Sequence, residues 1–419
     1  MRALVFGAPP DPGERRPVPS DDVDRLLAGI PFGLHEVDDP ALRGPDWVLT
    51  RPVLAGVCGS ESKLVLGDFG EGDLDNPMAA FSSLPHVPGH EVLARVVAAG
   101  PGTDLVEGQR VVLNPWLTCT VRGVEPVCPS CQDGSLNLCW SFTSGDLGPG
   151  VHVGVTTGAP GGWAELMGAH RSMLHPVPDE VDDAAAVLAD PFAVSLHAVV
   201  RNPPPPGGRA VVYGAGALGL TTVAVLRALH PDVEVAVVAR FAHQGRLAAT
   251  FGAALVVDHE PREELVEALA TWSGGVLHPA LAGLPTAHPG HVDVVYDTVG
   301  KAETLEVGVR VLAQRGSVVL TGVATPERYE WTPVYFKELS IIGSNAFGVE
   351  EVGGVRRHAI DHYLDLAASG RVDCRPMVTH RFPLDAWWAA LRALALPEES
   401  GALKVAFTPG APGPDRPGA

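Results

Sequence analysis

The feature that most constrains the fold is a glycine-rich run at residues 214–219, where Gly214, Gly216 and Gly219 form a G-x-G-x-x-G pattern. An apolar stretch at 209–213 precedes it and a helical pattern at 220–229 follows it. The first glycine permits a turn, the second lets the backbone approach a pyrophosphate, and the third lets the helix pack on the strand. The helix N-terminus then offers free N–H groups to the phosphates. A tight strand–helix turn without a ligand can show the same pattern.

The segments that follow favour the dinucleotide-binding interpretation. Further strand-like runs occur at 233–238, 254–257, 291–296 and 317–320. Their spacing is the one that βαβ units require. The sequence therefore predicts an α/β fold with a Rossmann domain, a doubly wound parallel sheet, over residues 189–343.

Residues 239–241 at the end of the second strand bear on the choice of cofactor. An NAD-preferring domain normally places a carboxylate there to accept from the ribose hydroxyls. This chain instead has Arg240, between Ala239 and Phe241. An arginine can bind a 2′-phosphate, which favours NADP over NAD. A solvated surface charge is the alternative interpretation of Arg240.

Three residues in separate segments have sequence neighbours that are typical of metal ligands. Cys58 follows an apolar run, His90 precedes a β-branched run, and Asp190 precedes Pro191. A thiolate, an imidazole and a carboxylate leave a fourth zinc position open for water or substrate, as a catalytic zinc requires. Taken singly, Cys58 could be a small buried apolar residue and Asp190 a peripheral ion-pair partner.

A second group of cysteines lies within one loop-like segment. Cys119, Cys128, Cys131 and Cys139 are spaced C-x8-C-x2-C-x7-C. A tetrahedral structural zinc site is one interpretation. A pair of disulfides, disfavoured in a reducing compartment, and a lobe that has lost its metal are the others. Cys374 is most simply a buried thiol.

These motifs together resemble the zinc-dependent medium-chain dehydrogenase/reductase family, which includes the zinc-containing alcohol dehydrogenases. The order is Gly-x-Cys-Gly-Ser at 56–60, Gly-His-Glu at 89–91 and then the glycine-rich run. Asp as the third ligand and Arg240 match the bacterial NADP-dependent secondary-alcohol dehydrogenases most closely. The family's lobe normally begins with a cysteine where Glu125 stands here, so Cys119 departs from the pattern.

The resemblance implies a domain organisation. A GroES-like β-rich catalytic domain is expected over 1–188, with the structural-zinc lobe at 119–139. The Rossmann domain follows, the chain returns to the catalytic domain over 344–408, and a disordered tail covers 409–419. A helix at 356–368 and a strand at 403–407 are expected in the returning segment.

The resemblance also implies an activity and its cofactors. The expected enzyme transfers a hydride between a secondary alcohol, a polyol or the corresponding ketone and NADP or NAD. It would hold two zinc ions per chain, one catalytic on Cys58, His90 and Asp190, and one structural on the four cysteines. The expected cofactor-binding residues are Gly214, Gly216, Ala217, Leu218, Gly219 and Arg240.

Residues beside the proposed catalytic zinc are given roles by the same resemblance. Ser60 would pass the alcohol proton towards solvent, and Lys63 stands where many relatives have the histidine that continues this relay. Glu61 would orient the imidazole of His90, and Glu91 would approach the zinc during ligand exchange. An ordinary buried ion-pair role is the alternative for both glutamates.

Charge and composition restrict the partners of this chain. The 419 residues carry a formal net charge of −19, which would repel nucleic acid and anionic membranes. Residues 1–10 lack the features of a signal peptide, so cytoplasm is the expected compartment. A homo-oligomer, dimer or tetramer, is expected by analogy with the family.

Two other functions stay open. One is a zinc-free quinone or enoyl reductase of the same superfamily, and the other is a non-catalytic, redox-sensing protein that binds the cofactor. The substrate and the roles of three additional segments, at 11–44, 67–85 and 274–288, are not defined by the sequence.

Overall fold

The computed structural model describes residues 1–11, 14, 16–66, 80–324 and 327–410. The chain divides into two compact units, which are described separately. Unit 1 comprises Met1–Asp190 and the chain from Ile360 onward, and unit 2 comprises Pro191–Ala359.

The strands are numbered in chain order. They are β1 (Arg2–Phe6), β2 (Phe32–Glu36), β3 (Trp47–Gly56), β4 (Glu91–Ala99), β5 (Arg110–Leu113), β6 (Met167–His170), β7 (Leu174–Pro176), β8 (Arg209–Tyr213), β9 (Glu234–Ala239), β10 (Leu255–Asp258), β11 (Leu277–His278), β12 (Thr286–Ala287), β13 (Val292–Asp297), β14 (Leu312–Leu320), β15 (Ser340–Gly343), β16 (Val349–Val352), β17 (Val355–His358), β18 (Val378–Phe382) and β19 (Lys404–Phe407).

The α-helices are numbered likewise. They are α1 (Asp22–Gly29), α2 (Gly59–Leu66), α3 (Pro129–Asp133), α4 (Asp183–Ala186), α5 (Ala189–Arg201), α6 (Ala217–Leu229), α7 (Ala242–Thr250), α8 (Arg262–Ser273), α9 (Ala302–Val311), α10 (Thr332–Phe336), α11 (Ala359–Ala368), α12 (Trp387–Ala395) and α13 (Pro397–Ser400).

Unit 1 is built on a seven-stranded sheet in the order β18-β19-β3-β4-β5-β7, with β6 also paired to β3. Its pairings are antiparallel except for β18 with β19. One apolar cluster, which includes Leu4, Phe32, Trp163, Trp388 and Phe407, joins the first strands to α12 and β19. The β-rich character predicted for this part of the chain is confirmed.

Unit 2 contains a six-stranded parallel sheet in the order β10-β9-β8-β13-β14-β15. Numbered by their order within this sheet, the strands run 3-2-1-4-5-6, the arrangement of dinucleotide-binding domains. Four of the five residues of β8 are buried, as expected for a central parallel strand covered on both faces. The predicted α/β class with a Rossmann sheet is confirmed.

The returning segment differs from the expected boundaries. Residues 344–359 stay with unit 2, because β16 and β17 form a hairpin and Glu350 is paired with His197 of α5 at 2.5 Å. The helix expected at 356–368 begins at Ala359, since the hairpin occupies the three preceding positions.

Two of the three additional segments contain regular secondary structure. Segment 11–44 contains α1 and β2, and segment 274–288 contains the β11–β12 hairpin. Residues 67–79 of the segment at 67–85 and residues 411–419 of the expected tail lie outside the described residues.

None of the described helices combines the length and the apolar character needed to cross a lipid bilayer.

Candidate functional site

The pairing of β3 with β4 brings two predicted metal ligands together. Gly56, at the end of β3, lies opposite Glu91, at the start of β4. Cys58 follows the first strand by two residues, and His90 immediately precedes the second. Antiparallel register therefore places residues separated by about thirty positions in one small region of unit 1.

Glu61, in the first turn of α2, fixes the backbone and side chains of this region. Its Oε1 accepts hydrogen bonds from the backbone N–H of Gly89 (2.7 Å) and of His90 (3.0 Å) and from Nδ1 of His90 (2.9 Å). Its Oε2 accepts from the backbone N–H of Cys58 (3.1 Å). With Nδ1 donating to a carboxylate, Nε2 of His90 is left to bind a metal, the arrangement expected of an oriented ligand imidazole.

The contact between His90 and Glu61 favours a protonated imidazole beside an ionised carboxylate. Burial would lower the pKa of His90, but the Glu61 carboxylate and the Cys58 thiol outweigh it and hold this pKa well above its usual value. Burial would raise the pKa of Glu61, but the imidazole and the backbone N–H groups lower it. Glu61 is therefore an ionised acceptor.

Glu91 also lies in this group. Ligand atoms of Cys58, His90 and Glu91 all lie within 4.8 Å of one another. Both carboxylate oxygens of Glu91 are 2.7 Å from Nζ of Lys404, and both side chains are almost fully buried. Burial would lower the pKa of Lys404, but Glu91 raises it above its usual value, so the two form a buried ion pair.

Asp190, in the first turn of α5, is not a member of that close group. Its side chain is nonetheless buried, at 7% exposure. Burial raises the pKa of Asp190 to about 7, although His90 and Lys404 act to lower it and Glu91 adds to the increase. Within the described part of the chain, no hydrogen-bond donor contacts this carboxylate. The Asp190 carboxylate is therefore buried where the charges of His90 and Lys404 act on it, as expected of a third ligand beside His90.

Ser60 and Lys63 lie on the same short helix as Glu61. Ser60 is exposed on the first turn of α2, and Lys63 is half-buried one turn later. Ser60 is two residues from Cys58, the spacing on which its expected role depends.

Two further side chains belong to this region and were not predicted. Lys404 stands out only as a lysine within the buried strand β19. The His152 ring lies 4.8 Å from the His90 ring and 5.5 Å from Trp116. Burial lowers the pKa of His152 to about 3, so this ring is neutral. Nothing near His152 in the sequence resembles a motif, which is why pattern analysis missed it.

The four cysteines form a second cluster in unit 1. Sγ atoms of Cys119, Cys128, Cys131 and Cys139 lie within 4.8 Å of one another, and none is in a disulfide. The Cys119–Cys139 Sγ distance is 3.6 Å. A tetrahedral zinc site with Zn–S bonds of about 2.3 Å has S–S edges of about 3.8 Å, so the cluster fits this metal.

Backbone N–H groups point at these sulfurs. Cys128 donates to Sγ of Cys119 at 3.3 Å, Trp140 to Sγ of Cys128 at 3.5 Å, and Ser141 to Sγ of Cys139 at 3.4 Å. Such bonds stabilise thiolates, the form that binds zinc. Cys119 reaches the cluster despite its distance in sequence, because residues 120–124 form turns that fold back on Cys119.

The glycine-rich run of unit 2 forms the turn between β8 and α6. Gly214 has a φ of +96°, a conformation that residues with side chains rarely adopt. A Cβ on Gly219 would lie 1.9 Å from the Gly214 carbonyl oxygen, whereas a Cβ on Gly216 would meet nothing within 4 Å. The space in front of Gly216 is therefore open to a ligand.

The start of α6 offers donors to that space. Gly216 is its N-cap and provides no side-chain acceptor, and the first helical hydrogen bond runs from Leu220 N–H to the Gly216 carbonyl. Ala217 and Leu218 occupy the first helical turn, where N–H groups have no partners within the helix. This is the arrangement that binds phosphate at a helix N-terminus.

Arg240 directly follows β9. It is exposed, and its guanidinium carbon lies 5.2 Å from the centre of the Phe241 ring. No carboxylate stands at residues 239–241, so nothing there would repel a 2′-phosphate.

Comparison with known families agrees with this geometry. Residues 44–179 match the alcohol dehydrogenase GroES-like domain, and residues 217–365 match the zinc-binding dehydrogenase domain. The first match contains Cys58, His90 and the four cysteines, and the second contains residues 217–219 of the glycine-rich run and Arg240.

Individual relatives cover most of the chain. L-galactonate-5-dehydrogenase of Escherichia coli is 28% identical, covering 81% of this chain and 85% of that protein. (R,R)-butanediol dehydrogenase of Saccharomyces cerevisiae is 27% identical over 90% of this chain and 94% of its own.

A solved structure extends the similarity to three dimensions. A protein of Sinorhizobium meliloti 1021, described as a zinc-binding dehydrogenase bound to NADP, is 27% identical, with a TM-score of 0.69. The alignment covers 90% of this chain and 96% of that one. The sequence motifs, the two domain matches and the shared fold agree, and the chain belongs to the zinc-dependent medium-chain dehydrogenase/reductase family.

Proposed function

We propose that the protein is a zinc-dependent oxidoreductase that transfers a hydride between a secondary alcohol or polyol, or the corresponding ketone, and NADP. The relatives include enzymes named for sugar-acid, butanediol and sorbitol substrates, which are all secondary alcohols. The observation that carries the proposal is the close group of Cys58 and His90, whose imidazole is oriented by Glu61, together with the buried carboxylate of Asp190 in the same unit.

Cys58, His90 and Asp190 are the proposed ligands of the catalytic zinc. When bound, zinc supplies a Lewis acid that withdraws charge from the alcohol or carbonyl oxygen. Asp190 is favoured over Glu91 as the third ligand, because both oxygens of Glu91 already accept from Lys404 whereas Asp190 has no donor within the described part of the chain.

The surrounding residues hold these ligands in place. Glu61 keeps Nδ1 of His90 protonated, so that Nε2 faces the metal, and it also holds the backbone at Cys58. Lys404 donates to both carboxylate oxygens of Glu91 and holds that side chain towards its ammonium group. Glu91 is the proposed transient ligand during exchange, since one of its carboxylate oxygens lies within 4.8 Å of the Cys58 and His90 ligand atoms.

Ser60 is the proposed proton carrier. Its hydroxyl is exposed at the first turn of α2, two residues from Cys58, so it can accept the alcohol proton and release it to solvent. Lys63 takes the place of the outer histidine of relatives, and a lysine that is usually protonated is a poor proton acceptor. The proton is therefore expected to leave from Ser60 directly to water.

Unit 2 provides the proposed cofactor site. Gly216 and the first turn of α6, with Ala217, Leu218 and Gly219, are the proposed pyrophosphate site, and Arg240 is the proposed partner of the 2′-phosphate. The bound nicotinamide supplies the carbon that accepts or donates the hydride.

The cluster of Cys119, Cys128, Cys131 and Cys139 is the proposed structural zinc site. Four sulfur ligands leave no position for substrate, so this metal would stabilise the lobe without taking part in the reaction. Two zinc ions per chain follow from the proposal. The six unpaired thiols are consistent with a reducing compartment, and cytoplasm is the proposed location.

A homo-oligomer is also proposed. Strand β15 is the edge of the parallel sheet of unit 2, and Ile341 within it is 38% exposed. An apolar edge strand is a suitable surface for pairing with a second copy.

The proposal is tested by measuring the zinc content of the purified protein and NADPH formation with a panel of secondary alcohols, polyols and primary alcohols. Two zinc ions per chain and turnover of a secondary alcohol that is abolished by a chelator are expected. Turnover of quinones or enones by a metal-free preparation would contradict it and favour a zinc-free reductase. Zinc and cofactor binding with no turnover would favour a sensor.

A further inference from the structure

Arg122 is an unusual residue of the four-cysteine lobe. It lies three residues after Cys119, within the turns that bring Cys119 to the cluster, and it is completely buried. Its guanidinium donates to five backbone carbonyls, those of Leu117, Ser144, Leu147, Gly148 and Gly150. The N–H···O distances run from 2.5 to 3.3 Å.

These hydrogen bonds satisfy the donors of Arg122 but not its charge. Carbonyl groups are neutral, and a buried cation without a counter-charge costs several kcal/mol. Among the described residues, no carboxylate forms an ion pair with Arg122. The charged groups that act on it are sulfurs: burial lowers the pKa of Arg122, and Cys139 and Cys119 act in the opposite direction.

A metal-loaded lobe would supply the missing charge. Four thiolates with one Zn²⁺ carry a net charge of about −2, which is itself expensive to bury. The guanidinium of Arg122 offsets about half of that charge in the same lobe. Each group therefore removes part of the desolvation cost of the other.

We propose that Arg122 is the buried counter-cation of the zinc–tetrathiolate lobe and that it links the metal state of the lobe to the conformation of residues 144–150. The inference rests on the structural zinc site proposed above. Four of the five carbonyls that Arg122 holds belong to residues 144–150, so losing the metal charge weakens the hold on that segment.

The segment held by Arg122 leads directly to the catalytic region. Gly150 is two residues from His152, which forms an isolated β-bridge with Trp116 and packs its ring on His90. Leu117, whose carbonyl also accepts from Arg122, adjoins Trp116. Arg122 is thus a positioning residue, since it acts on the His90 environment through residues 144–150.

The test compares three variants as purified holoproteins. Arg122→Met removes the charge at similar length, Arg122→Lys keeps the charge, and Arg310→Met is the control. Arg310 is also buried and donates to two carbonyls, but it belongs to unit 2, and the charged groups that act on it are Glu306, Glu330 and Arg262. Lobe metal affinity is measured by competition with a chromophoric chelator. The cadmium–thiolate absorbance of the cadmium-substituted protein reports whether the lobe cysteines still hold a metal.

If Arg122 is the counter-cation, the lobe metal affinities of the variants should follow a specific order. Arg122→Met should weaken lobe metal binding by about 10-fold or more, a typical cost of losing a residue that supports a metal site. Arg122→Lys should recover most of this affinity, and Arg310→Met should match the wild type. Equal affinities in all the proteins, or equal losses in the Met and Lys variants of Arg122, would overturn the inference.

A measurement on the wild type keeps the inference testable if Arg122→Met does not fold. Hydrogen exchange is followed before and after the lobe metal is removed with a chelator. Amides at 144–150 should lose protection, while those of β5 stay protected. Unchanged protection at 144–150 would overturn the link. A wild type that lacks any lobe metal would instead refute the structural zinc site itself.

Discussion

The proposed metal site of unit 1 and the proposed cofactor site of unit 2 are built in opposite ways. In unit 1, charged side chains from distant segments meet in the interior, and Lys404 pairs with Glu91 across 313 positions. In unit 2, the site is one contiguous stretch, 209–240, and consists mainly of backbone N–H groups and open space in front of Gly216. The proposed metal site therefore depends on the chemistry of its side chains. The proposed cofactor site depends on glycines, which leave backbone N–H groups and open space for a ligand.

This difference determines how each site responds to substitution. Buried charges depend on their partners, so a single change in unit 1 leaves another charge uncompensated. The backbone site of unit 2 responds to added volume, and Arg240, at its exposed end, can be changed without altering the turn. Six substitutions, arranged as five experiments, test this contrast.

Asp190→Asn should have the largest effect. The change keeps the shape of the side chain but removes the charge that would hold the metal. We expect loss of one zinc ion and a fall in kcat/KM of about 1000-fold, equivalent to about 4 kcal/mol of barrier. Dinucleotide binding should be unchanged. Asp183→Asn, at a half-exposed ion pair of unit 1, is the control. Full zinc content with normal turnover would exclude Asp190 as a ligand and make Glu91 the candidate.

Lys404→Met tests the dependence of one buried charge on another. Removing the ammonium group leaves the Glu91 carboxylate buried without a counter-charge, and we expect a loss of about 3–5 kcal/mol in the free energy of unfolding. The control is Arg315→Met, which breaks an exposed pair with Glu338 and should cost at most about 1 kcal/mol. Urea unfolding measures the free energy of unfolding of both variants. Similar losses in Lys404→Met and Arg315→Met would show that the buried pair is no more important to stability than the exposed one.

Two glycine substitutions separate fold from ligand space in unit 2. Gly219→Ala places a Cβ 1.9 Å from a carbonyl oxygen and should destabilise the protein by about 1–3 kcal/mol. Gly216→Ala meets no atom within 4 Å, so its melting temperature should equal that of the wild type while its affinity for NADP falls. A Gly216→Ala protein with normal cofactor affinity would place the pyrophosphate elsewhere.

Cys128→Ser compares the two clusters of unit 1. We expect loss of the lobe metal and a lower melting temperature, by about 2–4 °C for each kcal/mol of metal-derived stability lost. The catalytic zinc should remain. Cys374→Ser, at a buried thiol outside both clusters, should keep both metals. Oxidation of the four lobe cysteines in pairs in freshly isolated protein would refute the site.

Arg240→Asp should have the smallest effect, because it should change only the preference for NADP over NAD. It replaces an attraction for the 2′-phosphate with a repulsion and provides an acceptor for the ribose hydroxyls. One charged hydrogen bond of about 1.5–3 kcal/mol corresponds to about a tenfold or larger shift in kcat/KM from NADP towards NAD. Arg246→Asp, at an exposed arginine of α7, is the control and should leave the cofactor preference unchanged. Equal efficiencies with both cofactors in the wild type would argue against the role of Arg240.

The sequence predicted what depends on local spacing. The glycine turn, the strands around it and the last three lobe cysteines are defined within short windows, and the Rossmann sheet followed from them. Each of Cys58 and His90 has its own short motif, and the structure places their ligand atoms within 4.8 Å of each other, while their role as metal ligands stays a prediction. Lys404 and His152 were not, because their importance comes only from tertiary contacts: neither has a recognisable neighbour, and strand pattern alone does not identify a partner 313 residues away. The boundary at Ala359 was missed for the same reason, since the β16–β17 hairpin is held by the distant His197.

The interrupted order of unit 1 has a consequence for the synthesis of the protein. Unit 2 is contiguous in sequence, so its residues are all available once Ala359 has been translated. The sheet of unit 1 requires β19 between β18 and β3, and β19 carries Lys404, the counter-charge of Glu91. Domains fold as units during translation. The ribosome must therefore make nearly the whole chain before the buried charges of the proposed metal site can meet. Insertion of a metal at that site is therefore expected to be a late step that follows translation.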